Sequence, residues 1–185
     1  MVEEINFYAS DINEDSYINI IDIVEVINII LDNPNRLNYT IDNLRISLPE
    51  ENYIDENNQS IIPLDLSWDV GHIGGIEFTI NFENLNIIDI TSNATDLEIF
   101  YNNISPNQIK CLALSFDNNI ILDENLIQLF IKTQSDIQEG LVSISNILIV
   151  DIKGNEINFS MDNSEIEVLS IPNSFSLSKN YPNPF

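Results

Sequence analysis

The chain of 185 residues has one cysteine, one histidine and only six lysines and arginines. A single cysteine excludes an internal disulfide framework and any multi-cysteine metal site. A single histidine excludes histidine-clustered zinc and leaves little room for histidine-based catalysis. Against 30 aspartates and glutamates, the few basic residues leave a formal charge of −24. A chain so short of positive charge has no basic face for nucleic acid or for an anionic membrane. No run of 18 uncharged apolar residues occurs, so the sequence predicts no membrane-spanning helix. The first residues, Met1-Val2-Glu3-Glu4, lack the basic and apolar regions of a signal peptide.

What is abundant is isoleucine and asparagine, 35 and 28 residues, a usage that points to an AT-rich genome. The sequons at Asn38, Asn58, Asn93, Asn103 and Asn158 are therefore expected by chance. Lysine would rise with the same base composition and has not, so the acidity reads as selected. It suits a cation-binding protein, or one that stays soluble in a salty exterior. With 44% hydrophobic residues the chain can bury a real core. The length allows one good domain, or a domain plus a small module.

The sharpest local signal runs from Asp11 to Asp22. Asp11, Asn13, Asp15, Asn19 and Asp22 put oxygen side chains at positions 1, 3, 5, 9 and 12 of a loop, and the carbonyl of Tyr17 stands at position 7. Calcium takes six to eight hard oxygen ligands, and a loop of this spacing supplies them. Ile18 reads as the apolar tether of the loop to the core. Ser16 stands where glycine normally allows the sharp turn, which predicts strain there. Ile20, Ile23, Val24, Ile27, Ile30 and Leu31 then recur at helical spacing up to Asn33-Pro34, which stops the helix. Ile21, Val26 and Ile29 fall off that stripe, so the helix needs cover on two sides, from the neighbouring domain or from a partner protein.

The loop with Asp at position 12, followed by Ile-Val-x-x-Ile-Asn-x-Ile-Leu, resembles one dockerin repeat. Dockerins are small calcium modules that plug into cohesins. The resemblance covers about 21 residues. It implies Ca2+ held by Asp11, Asn13, Asp15, Tyr17, Asn19 and Asp22. The helix is expected to pack on the sandwich's end or flank through Ile20, Ile23, Val24, Ile27 and Leu31; the alternative is that these residues form a docking surface for a second chain. A dockerin has two such repeats, and no second Asp-x-Asn-x-Asp occurs in the chain.

Beyond residue 42 the periodicity shortens to two. Strands are expected at Leu44–Leu48, Ser60–Ser67, Gly75–Phe82, Ile87–Thr91, Leu97–Tyr101, Ile109–Phe116, Leu126–Thr133, Leu141–Asp151, Glu156–Phe159 and Glu165–Ser170. Asn118-Asn119 and Lys153-Gly154-Asn155 read as hairpin turns. About ten strands without a convincing helix predict an antiparallel β-sandwich. Ile62-Pro63-Leu-Asp-Leu, Gly74-Gly75-Ile-Glu-Phe-Thr-Ile-Asn-Phe, the Ile144 to Ile157 segment and Glu165-Ile-Glu-Val resemble the strand order of a cohesin-like domain. That family has a jelly-roll sandwich related to carbohydrate-binding modules, so the resemblance implies protein or sugar binding. Trp68 reads as core or rim ahead of a sugar platform. His72 reads as a loop residue and Cys111 as a small strand residue, since no base stands near it in sequence. No carboxylate pair stands out as acid and base, and no phosphate loop or nucleophile motif occurs.

The tail Phe175-Ser-Leu177-Ser-Lys-Asn180-Tyr181-Pro182-Asn183-Pro184-Phe185 resembles the lead-in to bacterial C-terminal secretion and sorting domains. It implies export by a type IX-like system to the outer surface or beyond. The abrupt stop there reads as a piece of a longer protein. The expected organisation is a mainly β chain: a dockerin-like half module at 1–33, a linker at 34–41, a cohesin-like sandwich at 42–171 and a linker at 172–185. The expected function is non-catalytic docking, adhesion or scaffold assembly at the cell surface. The partner would be a protein of cohesin or dockerin type, or a polysaccharide, and the chain a monomer in isolation. The alternative is a carbohydrate-binding accessory region of a secreted polysaccharide-degrading enzyme.

Overall fold

The computed structural model describes residues 10–31, 43–55, 57–68, 72–93, 97–115, 127–133 and 139–170. The expected linker at 34–41, the Asn118-Asn119 turn, the tail from 172 and the side chain of Leu31 lie outside the described residues.

The single described α-helix, α1 (Ile20–Leu31), follows the acidic loop. Among the described residues eleven strands make two sheets: β1 (Arg45–Ser47), β2 (Asn52–Ile54), β3 (Gln59–Ser67), β4 (Ile73–Glu83), β5 (Leu85–Ser92), β6 (Leu97–Ser105), β7 (Gln108–Ser115), β8 (Ile127–Thr133), β9 (Glu139–Asp151), β10 (Ser160–Asn163) and β11 (Glu165–Ser170). The five-stranded sheet runs β10-β1-β3-β8-β5 and the six-stranded sheet β2-β11-β9-β4-β7-β6. Their inner faces meet in one core. Ile76, Phe78 and Ile80 of β4 and Ile144 and Ile149 of β9 face Ile62 and Leu64 of β3 and Ile127, Leu129 and Ile131 of β8, all buried. Strict alternation along β4 puts Gly75, Glu77, Thr79 and Asn81 on the opposite, outer face.

The sandwich departs from the sequence reading in three ways. First, it is not wholly antiparallel. β10, at the edge of its sheet, pairs with β1 in parallel, and β2 joins β11 in parallel. Second, β2 and β10 were not expected from the sequence. They have three and four residues and no apolar alternation, so main-chain pairing at the sheet margin defines them. Third, Glu156–Phe159 is not a strand. Glu156 makes one isolated bridge to Val150, the Ile157 amide bonds the Ile149 carbonyl at 2.8 Å, and the chain then crosses to the other sheet.

The expectation that α1 would pack on the sandwich's end or flank is corrected by its place on the broad outer face of the six-stranded sheet. Ile20, Val24 and Ile27 are buried there against Leu114 of β7 and Val150 of β9, with Leu112 and Leu148 packed beside them. Two features of β4 and β9 prepare that seat. A Cβ on Gly75 would run into the Ile20 side chain, so any larger residue there would have to displace that side chain from its seat. In β9 the register against β4 slips between Glu77 and Thr79, where Asn146 takes φ 51°. Simple alternation from Ser145 would turn Leu148 and Val150 inward. The extra residue instead leaves both on the outer face, under α1.

The other side of α1 is open: Val26, Ile29 and Ile30 are exposed, Ile30 by 73% although it belongs to the expected stripe. Burying a valine or isoleucine fully is worth about 1.5–3 kcal/mol. Val24→Asp should therefore cost on the order of 2–4 kcal/mol in urea denaturation, by placing a charge in the seat. Ile30→Asp should stay within about 0.5 kcal/mol of the parent. Equal midpoints for the two variants would contradict this seating of α1.

Candidate docking face and acidic loop

The loop ahead of α1 is closed by its own carboxylates. Asp11 Oδ1 and Oδ2 accept the amides of Asp15 at 3.1 Å and Ser16 at 3.0 Å. Asp22 Oδ1 accepts the amide of Ile12 at 2.7 Å, and its Oδ2 accepts that of Asn19 at 2.9 Å. Asn13 Nδ2 donates to Asp15 Oδ2 at 2.9 Å, and the Tyr17 amide donates to Asp15 Oδ1 at 2.8 Å. Asn19 Oδ1 in turn accepts the Ile21 amide at 2.7 Å. Asn19 and Asp22 thus form a reciprocal capping box, and Asp22 adds negative charge to the first helical turn. Asp11 and Asp22 are buried, while the Tyr17 side chain is exposed. Ser16 does occupy the left-handed region expected of a glycine, at φ 74°, and so does Glu14 at φ 60°.

As a donor set, the loop fits a hard cation: three carboxylates, two amide oxygens and the Tyr17 carbonyl, all oxygen and all within twelve residues. In this structure the aspartates are turned to main-chain amides. Among the described residues, no group of three or more His, Cys, Asp or Glu side chains is placed to hold a metal. Ile18, expected as the tether to the core, is instead half exposed. The tether is Ile20, two residues on, seated at Gly75.

Ile18 has a different position, on the wall of a groove. Beside the α1 seat an apolar cavity of about 360 Å³ opens between the loop and the outer faces of β6 and β7. Ile18 and Ile23 form one side; Phe100, Ile104 and Leu112 form the other. Phe100, Tyr101 and Ile104 are each about half exposed. Lys110 and Glu77 make an ion pair of 2.8 Å at its floor, partly open to solvent and worth little in stability. The Tyr101 phenol is raised above its ordinary pKa, first by desolvation and then by its hydrogen bond to the Asp89 carboxylate. Of the residues named from sequence for partner binding, Ile23 reaches the groove, whereas Ile20, Val24 and Ile27 are spent within the chain. Phe100, Tyr101 and Ile104 were missed. The available signal was the run of large apolar side chains along β6, Leu97, Ile99, Phe100, Tyr101 and Ile104, more than the inner face of one strand can bury.

The single residues resolve simply. Trp68 is buried in the core and offers no face to a sugar. His72 is partly buried ahead of β4. Ile109, Cys111, Ala113 and Ser115 are the inward positions of β7, all buried, and Leu112 and Leu114 point outward to the helix side.

No family model matches the chain, and no curated protein does. Solved structures do. A cohesin–dockerin complex of type I from Clostridium thermocellum matches with TM-score 0.54 at 12% identity, over 74% of this chain and 100% of that one. A non-cellulosomal cohesin from the archaeon Archaeoglobus fulgidus matches with TM-score 0.54 at 16% identity, over 70% and 91%. A cohesin module of a Clostridium perfringens family 33 glycoside hydrolase matches with TM-score 0.52 at 16% identity, over 72% and 100%. At such identities the likeness shows the fold: this is a cohesin-like β-sandwich.

Burial pushes the Cys111 thiol up from 9.0 to about 12. The native thiol therefore stays protonated at pH 8 and should resist a maleimide that labels the urea-unfolded chain within minutes. Its contribution to stability is complete below the ordinary thiol value and is lost as pH rises from there towards 12. Cys111→Ala should flatten that alkaline decline. Rapid labelling of the folded chain at pH 8 would contradict the buried placement.

Proposed function

We propose that this chain is a non-catalytic docking module of a secreted bacterial surface protein, in which a calcium loop fixes the start of a helix beside an apolar docking groove. The observation that carries the reading is the groove itself. It exposes Phe100, Ile104 and Ile18 on a chain that has a core to hide them in. The fold it shares with cohesin modules supports a protein partner, because a matched structure is described as a cohesin–dockerin complex. Size points the same way. An aliphatic and aromatic groove flanking a broad sheet face suits a protein surface, and it presents no convergent carboxylates for hydrolysis. With a charge of −24 the partner is one that presents apolar side chains on a neutral or basic surface. The resemblance of the tail to a sorting-domain lead-in supports export, and the acidity suits a saline exterior.

Calcium enters this reading through the loop. Asp11, Asn13, Asp15, Asn19 and Asp22 would hold it with the Tyr17 carbonyl. Bound there, it would draw the three carboxylates from their main-chain amides and would lock the cap of α1. Binding to the folded chain alone stabilises it by mass action. Millimolar calcium should therefore raise the melting temperature over that in chelator, and the Asp11→Ala, Asp15→Ala double variant should lose the shift. Identical melting curves with and without calcium would remove the metal from the proposal.

Docking is tested separately. A phage-displayed peptide library panned on the full chain should enrich apolar, non-acidic sequences. Their binding should fall at least tenfold on a Phe100→Asp, Ile104→Asp double variant whose denaturation midpoint is unchanged. Selected peptides that bind parent and variant equally would place docking elsewhere.

A further inference from the structure

A second recess lies at the far end of the same outer face. It is about 20 Å along β4 from Gly75, by strand rise, and its chemistry is opposite to that of the groove. Its volume is about 470 Å³, and Asn81, Glu83, Ser105, Asn107, Gln108 and Ser143 line it. Four adjacent strands contribute a chain of polar side chains. Ser105 Oγ of β6 donates to Gln108 Oε1 of β7 at 3.3 Å. Gln108 Nε2 donates to Asn81 Oδ1 of β4 at 2.8 Å, and Asn81 Nδ2 donates to Ser145 Oγ of β9 at 2.9 Å. Each amide is thereby held in one orientation, and each keeps a second N–H without a partner among the described residues. The strand framework makes the array more rigid than a loop would. Around it, the Asn107 amide, the Ser143 hydroxyl and the Glu83 carboxylate have no side-chain partner among the described residues.

The lining selects a ligand class. No lysine or arginine borders the recess and one carboxylate does, which excludes phosphate and other anions. One carboxylate with neutral amides is too little charge for a divalent cation. Phe82, at 7% exposure, offers no aromatic or lipid-binding floor. A fixed set of donors and acceptors in both directions, with one carboxylate to bridge neighbouring hydroxyls, matches a neutral polyhydroxylated ligand. We propose that the recess formed by Asn81, Asn107, Gln108 and Ser143 is a saccharide-binding subsite, separate from the docking groove. Its volume lies within the usual range for small-ligand sites, about 300–1,000 Å³. Lacking an aromatic platform, it binds weakly, so its use is in repeated or multivalent contact with a polysaccharide.

The test is an NMR titration of the full chain with cellohexaose, xylohexaose, mannohexaose and chitohexaose, reading the side-chain amide signals of Asn81, Asn107 and Gln108. At least one of the four should give saturable shifts confined to these groups. Ser143→Ala and Asn107→Ala should each weaken binding about five- to tenfold. Both variants should keep the parent melting temperature, since neither side chain has a partner to lose among the described residues. The Phe100→Asp, Ile104→Asp variant should bind sugar normally, so loss of the docking reading would leave this one standing. Absence of a saturable shift with all four sugars, or binding that survives both alanine changes, overturns the proposal.

Discussion

Ile20 meets the six-stranded sheet at Gly75, and the arrangement of the outer face follows from that contact. Glycine there lowers the floor by one side chain, and the helix settles into the space. Leu112 and Leu114 on one side and Leu148 and Val150 on the other then become walls of a second, smaller core. Those four residues would be a costly exposed stripe on a bare sandwich. The β9 bulge at Asn146 is part of the same solution, because it turns Leu148 and Val150 towards the helix. At the neighbouring turn, Gly154 holds φ 86° and lies against Ile21 and Glu25 of α1, so a second backbone feature is fitted to the same helix. The acidic loop completes the unit by fixing where the helix begins. Asn19 and Asp22 cap the first turn of α1, so the helix starts at Ile20, the residue seated at Gly75.

The two recesses divide the outer face by chemistry. Towards α1 the face is aliphatic and aromatic, and along β4 towards Glu83 it becomes amide and hydroxyl. The register explains the division. Glu77, Thr79 and Asn81 share the outer side of β4, and their neighbours across β7 and β9 change from leucine and valine to glutamine and serine over six residues. An apolar end suits a protein surface that excludes water; a polar end suits a hydrated ligand. One sheet can thus carry both without a loop between them, and the strong acidity of the chain keeps anionic partners from either.

Much of the sandwich was legible because it follows the simplest rule of strands. β3, β4, β5, β7, β9 and β11 appear within about two residues of the segments that alternation marks. Ile76-Glu-Phe78-Thr-Ile80-Asn-Phe82 states its own inner and outer faces. The acidic loop and α1 were legible for a different reason, the fixed spacing of oxygen side chains before a helical stripe. The margins were not. β2 and β10 carry too few residues to show a period, and their pairing is with strands distant in sequence. The groove was not legible either, since Ile18 and Phe100 are some eighty residues apart and meet only through the seat of α1.

The sequence by itself determined the local order: acidic loop, capped helix, then short alternating strands around an isoleucine-rich core. Periodicity and capping act between near neighbours, so these can be read from a linear string. The tertiary structure decided which apolar residues are spent and which remain. Ile20, Val24, Ile27 and Ile30 look equivalent along the helix, yet the first three are buried and Ile30 is exposed. β7 reads as one leucine-rich strand, yet its small Cys111 and Ala113 face the main core and its two leucines face the helix side. The reason is that burial depends on what stands opposite. That is set by a missing side chain at Gly75 and one inserted residue in β9, neither of which has a period to announce it.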